Sequence, residues 1–86
     1  MPAISRFFGI TIYVYYDDHN PSHFHAVYGE SEIIITIEDL AILSGYLPSR
    51  ALGLVIEWAS NHQEEFKRVW QQAINHQELQ RIEPLK

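Results

Sequence analysis

Three histidines and two aspartates crowd one short stretch of the chain, Asp17-Asp18-His19-Asn20-Pro21-Ser22-His23-Phe24-His25-Ala26-Val27-Tyr28. Successive side chains of an extended strand point to opposite faces, so His23 and His25 project to one side while Phe24, Ala26 and Tyr28 project to the other. Three readings of the pair stand side by side. Two neutral imidazoles can bind zinc or another divalent transition metal, with a third ligand from elsewhere. They can serve as general base and general acid around a phosphodiester. Or they are amphipathic residues of a half-buried strand that stack and hydrogen-bond, behind a loop that is polar because it turns. A His-x-His spacing is a short signal, and no His-Glu-x-x-His or other closed ligand set accompanies it.

His62 extends the candidate set. On a continuous helix it would interrupt an apolar stripe between Ala59 and Phe66, and a polar group at a helix-to-sheet boundary needs a partner. One expectation is therefore a constellation of His23, His25 and His62, either as metal ligands or as acid-base groups. The alternative is that His62 caps a helix end or sits in water. Arg50 is the best-placed candidate to hold a phosphate, because its guanidinium offers a planar fork of donors. Asp18 and His19 complete the list of candidate catalytic residues. No serine lies in a nucleophile-elbow context, and no glycine-rich phosphate loop is present.

These residues need a scaffold. Ile4 to Phe8 and Ile10 to Tyr16 read as two strands around Gly9, being rich in β-branched and aromatic residues and too short for helices. Asp17 to Ser22 is a loop by composition. His23 to Tyr28 is a third strand, and a Gly29-Glu30 turn leads into a fourth, Ser31 to Ile37. Its Ile33, Ile35 and Ile37 share a core face, and Glu32, Ile34 and Thr36 share the other. Leu40 to Leu47 is a fifth candidate strand that Gly45 weakens.

Pro48 marks the change to helix, with Ser49 as expected N-cap and Arg50 in the first turn. Leu52, Val55, Ala59, Phe66, Val69 and Ala73 then recur at three- and four-residue steps. The helix either runs to about His76 or breaks near Ser60-Asn61-His62, where Asn61 could cap a second helix. The fold class expected is α+β: four to five antiparallel strands packed against one or two amphipathic helices, with Ile33, Ile35 and Ile37 facing Leu52, Val55 and Phe66.

Composition bounds the function. The 86 residues, 47% hydrophobic, suffice for one core, so residues 1–86 are expected to form a single domain that gains from association with a second copy or a partner. Without cysteine there are no disulfides, thiolate nucleophiles or cysteine-ligated zinc. The start lacks a signal-peptide pattern and no apolar run is long enough to span a membrane, so a cytoplasmic location is expected. A net charge of −5 opposes nonspecific binding to RNA or DNA. Arg6, Arg50, Lys67 and Arg68 are the residues from which a local basic patch could be built.

The chain resembles a bacterial family of very short proteins catalogued as a domain of unknown function. The resemblance rests on Met-Pro-x-Ile-Ser-Arg-Phe-x-Gly-Ile from Met1, Asp-His-x-Pro-x-His-Phe-His-Ala-x-Tyr-Gly from Asp18, and Leu-Pro-x-Arg-Ala-Leu-x-Leu-Val-x-Glu-Trp-Ala from Leu47. His62 and Ile82-Glu83-Pro84-Leu85 also match. Such proteins are commonly encoded beside another small protein, in an arrangement similar to a toxin and its antitoxin. The resemblance thus implies a cognate protein partner and growth inhibition, and carries over Asp18, His19, His23, His25, Tyr28, Arg50, Glu57, Trp58 and His62. The chain departs from the family pattern at Glu38-Asp39-Leu40-Ala41, where a glycine-containing hairpin turn is expected, and at Gly53, where a basic residue is usual. The leading expectation is a toxin-like component with histidine-dependent ribonuclease chemistry. The alternative is a non-catalytic protein-interaction or metal-binding module.

Overall fold

Alternation and turn chemistry account for a five-stranded meander. A computed structural model describes residues 3–86; the Met1-Pro2 opening of the resemblance lies outside them. Strands β1 (Ala3–Phe7), β2 (Ile10–Tyr13), β3 (His23–Tyr28), β4 (Ser31–Thr36) and β5 (Ile42–Gly45) pair in chain order, every neighbour antiparallel. Helices α1 (Ser49–Ser60) and α2 (Gln63–Ile74) follow. The α+β class read from the sequence is the one observed.

The Phe8-Gly9 turn between β1 and β2 has positive φ at both residues, +49° and +79°, the backbone hand that matches strand twist in a two-residue hairpin. The β4–β5 hairpin forms despite lacking the expected glycine in its turn, because Leu40 takes the left-handed position itself at φ +55°. Thr36 holds that turn together. Its hydroxyl donates to Asp39 Oδ1 at 2.6 Å and accepts the Ala41 amide at 2.9 Å. Gly45 is required where it stands, since a Cβ there would lie 2.2 Å from the Glu32 carbonyl oxygen.

Several boundaries differ from those the sequence suggests. β2 ends at Tyr13 rather than Tyr16, and β5 shrinks to Ile42–Gly45. The N-cap of α1 is Pro48, not Ser49, which is already the first helical residue. Proline suits the edge of a helix because it has no N–H to leave unsatisfied. Of the two helical arrangements, the broken one is observed. Asn61 ends α1 as its C-cap, and His62, rather than Asn61, is the N-cap of α2.

One sheet face meets the helices. Ile12, Ala26 and Ile33 align across β2, β3 and β4, and Phe24 aligns with Ile35. All are buried, as are Val55, Trp58, Phe66 and Val69 from the helices. Phe24 stacks on Phe66 at 4.4 Å and Phe7 packs on Trp58 at 4.8 Å between ring centroids. Ile33, Ile35 and Ile37 thus face Val55 and Phe66, with Leu52 at the core's margin. Each such apolar side chain, fully buried, stabilises the fold by about 1.5–3 kcal/mol.

The segment after α2 has no regular structure but is anchored. Ile82 is buried, its amide donates to Ile4 of edge strand β1 at 2.9 Å, and the Trp58 indole donates to the Glu83 carbonyl at 2.8 Å.

Candidate metal centre

Register places the histidines. Because Phe24 and Ala26 enter the core, His23 and His25 emerge from the other face of β3; His25 lies beside Tyr13 of β2 and Ile34 of β4, while His23, at the start of the strand, packs its ring on Trp70 of α2, 5.4 Å between centroids. The β2–β3 loop then brings a carboxylate to them. Asp18 Oδ2 accepts the Tyr15 amide at 3.3 Å, and the Asp18 amide donates to the Tyr15 carbonyl, a tight local turn that fixes the side chain. Tyr15 also sets its ring edge-on to His25, 4.5 Å between centroids.

The Asp18 oxygen so held lies 3.3 Å from His23 Nε2 and 3.3 Å from His25 Nε2. All three ligand atoms fall within 4.8 Å of one another. The side chains are largely shielded, with 17%, 12% and 11% of their surfaces exposed for Asp18, His23 and His25.

The other ring nitrogens define the proton arrangement. His23 Nδ1 lies 2.8 Å from the Pro21 carbonyl, which only accepts, so Nδ1 carries the proton. His25 stands between two carboxylates, its Nδ1 3.0 Å from Glu32 Oε2 and its Nε2 3.3 Å from Asp18 Oδ2. When both rings carry their proton on Nδ1, both Nε2 lone pairs point at the Asp18 carboxylate and three acceptors converge on one point. A cation between them resolves the repulsion. Fixing a ligand imidazole through its second nitrogen, to a carbonyl or a carboxylate, is the usual support of metal-binding histidines.

The spacing fits as well. Ligand atoms about 2.0–2.1 Å from a tetrahedral zinc lie about 3.3 Å apart, the separation of both Nε2–Oδ2 pairs. Among the described residues the cluster has three members, the number of protein ligands common in catalytic zinc sites.

The remaining candidates are elsewhere. His62 does not join His23 and His25: it lies in the helical layer, its Nδ1 paired with Glu65 and its ring 5.5 Å from that of Trp58. The third position expected for it is filled by Asp18. His19 is exposed in the loop, and Glu57 is exposed on α1. Arg50 lines a separate pocket with Phe8, Tyr28 and Leu54, on the helix side and at the far end of β3. His23 and Tyr28 are five residues apart along that strand, about 16–17 Å. The expected phosphate-holding arginine is thus not brought to the histidines.

Two further contributors, Glu32 and Tyr15, stand outside the candidate residues of the sequence. Glu32 was visible in principle: a Tyr28–Ser31 hairpin sets His25 opposite Ile34 and diagonal to Glu32, on the non-core face. Tyr15 was not, because nothing local specifies how a nine-residue connection folds back over a strand.

An α+β meander with two histidines and a carboxylate gathered on its open face is the class of protein that these elements define. The chain belongs to the family described as a domain of unknown function, DUF4160, which matches it over residues 9–71, from the β1–β2 turn to within α2. No curated protein and no solved structure matches it. No helix among the described residues is long and apolar enough to cross a membrane.

Proposed function

We propose that Asp18, His23 and His25 bind a divalent transition metal, zinc before others, and that the centre hydrolyses phosphodiesters as the toxin-like half of a two-protein module. The observation that carries the metal is the convergence of His23 Nε2 and His25 Nε2 on one Asp18 oxygen, with both Nδ1 atoms held in turn by the Pro21 carbonyl and Glu32. A bound metal would act as a Lewis acid towards a phosphoryl oxygen and lower the pKa of water. It would also place positive charge where an acidic protein of net charge −5 otherwise repels RNA.

In this reading the histidines hold and orient rather than transfer protons. Asp18 fixes the third ligand position, and Glu32 and the Pro21 carbonyl hold the two rings. The family resemblance supplies the expectation of a cognate protein that suppresses growth inhibition.

Expression of the chain alone and with its neighbouring gene product, in wild-type and His25→Ala forms, tests the whole reading. The expected result is growth arrest by the wild type alone, relief by the neighbour, no arrest by His25→Ala, and zinc-dependent cleavage of single-stranded RNA by the purified wild type. Harmless wild-type protein that neither cleaves RNA nor binds the neighbour would reduce the reading to the metal site itself.

A further inference from the structure

The pocket that holds Arg50 has its own chemistry. It encloses about 250 Å³ between the β1–β2 turn, the end of β3 and the first turns of α1, lined by Phe8, Ile10, Tyr28, Pro48, Ala51 and Leu54, with Arg50 as its one charged residue. Two lining rings are exposed to a degree unusual for their size, Phe8 at 60% and Tyr28 at 40%.

Phe8 is the more telling. It occupies a left-handed position, φ +49°, in a turn whose chemistry favours asparagine, aspartate or glycine. Neither the turn nor the core accounts for a phenyl ring there, whereas a wall for the pocket does. Gly9 supports the arrangement, since a Cβ at that residue would come within 3.4 Å of the Tyr28 ring.

Arg50 makes no ion pair among the described residues, and the first turn of α1 contains no acidic side chain to compete for it. A guanidinium at the rim of an apolar pocket selects an anion joined to an apolar body, and its fork matches a carboxylate in two parallel hydrogen bonds. One cation balances a monoanion and leaves a phosphate dianion undercompensated. The volume suits a single ring or short alkyl chain and is too small for a folded segment.

We infer that this pocket is a binding site for a small amphiphilic carboxylic acid, an arylalkanoate or short-chain fatty acid, with the apolar body between Phe8, Tyr28 and Leu54 and the carboxylate on Arg50. The site is independent of the metal centre and stands whether or not zinc binds.

Titration of the full chain with 3-phenylpropionate, followed by backbone amide NMR, tests it. The expected result is saturable shifts at Phe8, Tyr28, Ala51 and Leu54, with a Kd on the order of 1 mM for a ligand of this size. Arg50→Gln, an exposed substitution, should weaken binding about tenfold or more, and the neutral 3-phenylpropanol should bind comparably weakly to the wild type. N-acetylphenylalanine, which imitates a polypeptide C-terminus, should bind less well than the free acid. Absence of saturable shifts, equal affinity for the alcohol, unchanged affinity in Arg50→Gln, or preference for N-acetylphenylalanine would each overturn the assignment.

Discussion

The two faces of the sheet are built from the same strands and do opposite things. On the helix side, Phe24 and Ala26 of β3 are fully buried and meet a continuous apolar layer. On the other side, His23 and His25 of the same strand meet a loop carboxylate, a tyrosine edge and Glu32, with α2 reaching this side only through Trp70 against the His23 ring. A one-residue alternation thus separates the residues that hold the fold from those that offer chemistry. The comparison teaches that substitution at neighbouring positions should fail in different ways.

The largest stability loss belongs to the covered face. Phe24→Ala should destabilise the protein by about 3–5 kcal/mol, because it removes the ring stacked on Phe66 and leaves a cavity in a dry core. Urea denaturation monitored by circular dichroism measures it. A loss below about 1 kcal/mol would mean that the helices do not depend on this face.

Gly45→Ala comes next, at about 1–3 kcal/mol, since it adds a Cβ against the Glu32 carbonyl in a left-handed residue. The displaced β4 backbone carries Glu32, so zinc affinity should fall along with stability. Unchanged zinc affinity in a destabilised variant would separate the β4–β5 hairpin from the site.

On the open face the ordering reverses. His25→Ala should lower metal-free stability by about 1–3 kcal/mol, the worth of hydrogen bonds to carboxylates at a shielded ring, while abolishing zinc uptake. Zinc at about a hundred times its Kd should stabilise the wild type by about 2.7 kcal/mol and leave His25→Ala unmoved in thermal denaturation. A zinc response that survives His25→Ala would place the metal elsewhere.

The smallest effect is at Tyr15. Burial first, then the negative charges of Glu32, Tyr13 and Asp18, push its phenol above the ordinary tyrosine value. A raised folded-state pKa contributes stability that is complete below the unfolded value and is lost as pH rises through the folded one. Tyr15→Phe should therefore lessen alkaline destabilisation above about pH 10 and leave neutral stability nearly unchanged. Ultraviolet titration of the tyrosines checks the same point: the last to ionise should vanish in the variant.

How far the sequence was legible follows the same division. The covered face was readable because periodicity is local: Ile33, Ile35 and Ile37 announce one face of a strand, and Val55 and Phe66 one stripe of helix. The pairing of His23 with His25 was readable for the same reason. His62 was misplaced because its apparent position in the stripe assumed an unbroken helix, whereas the chain breaks at Asn61-His62 and His62 turns to Glu65. Asp18 stood among the candidates, but its approach to the two histidines depends on a turn closed by the Tyr15 amide, which no spacing rule encodes. Arg50 fell on the right helix and at the wrong end of the sheet, since sequence gives the face of a strand without the position of a ligand along it.

X-ray absorption at the zinc edge, on protein loaded with one equivalent of zinc, tests the central claim most directly. The account predicts a four-coordinate centre with two imidazole nitrogens and carboxylate or water oxygens at about 2.0–2.1 Å. One imidazole should be lost in His23→Ala and an oxygen contribution altered in Asp18→Asn. Failure to retain stoichiometric zinc, or an identical spectrum in both variants, would contradict it.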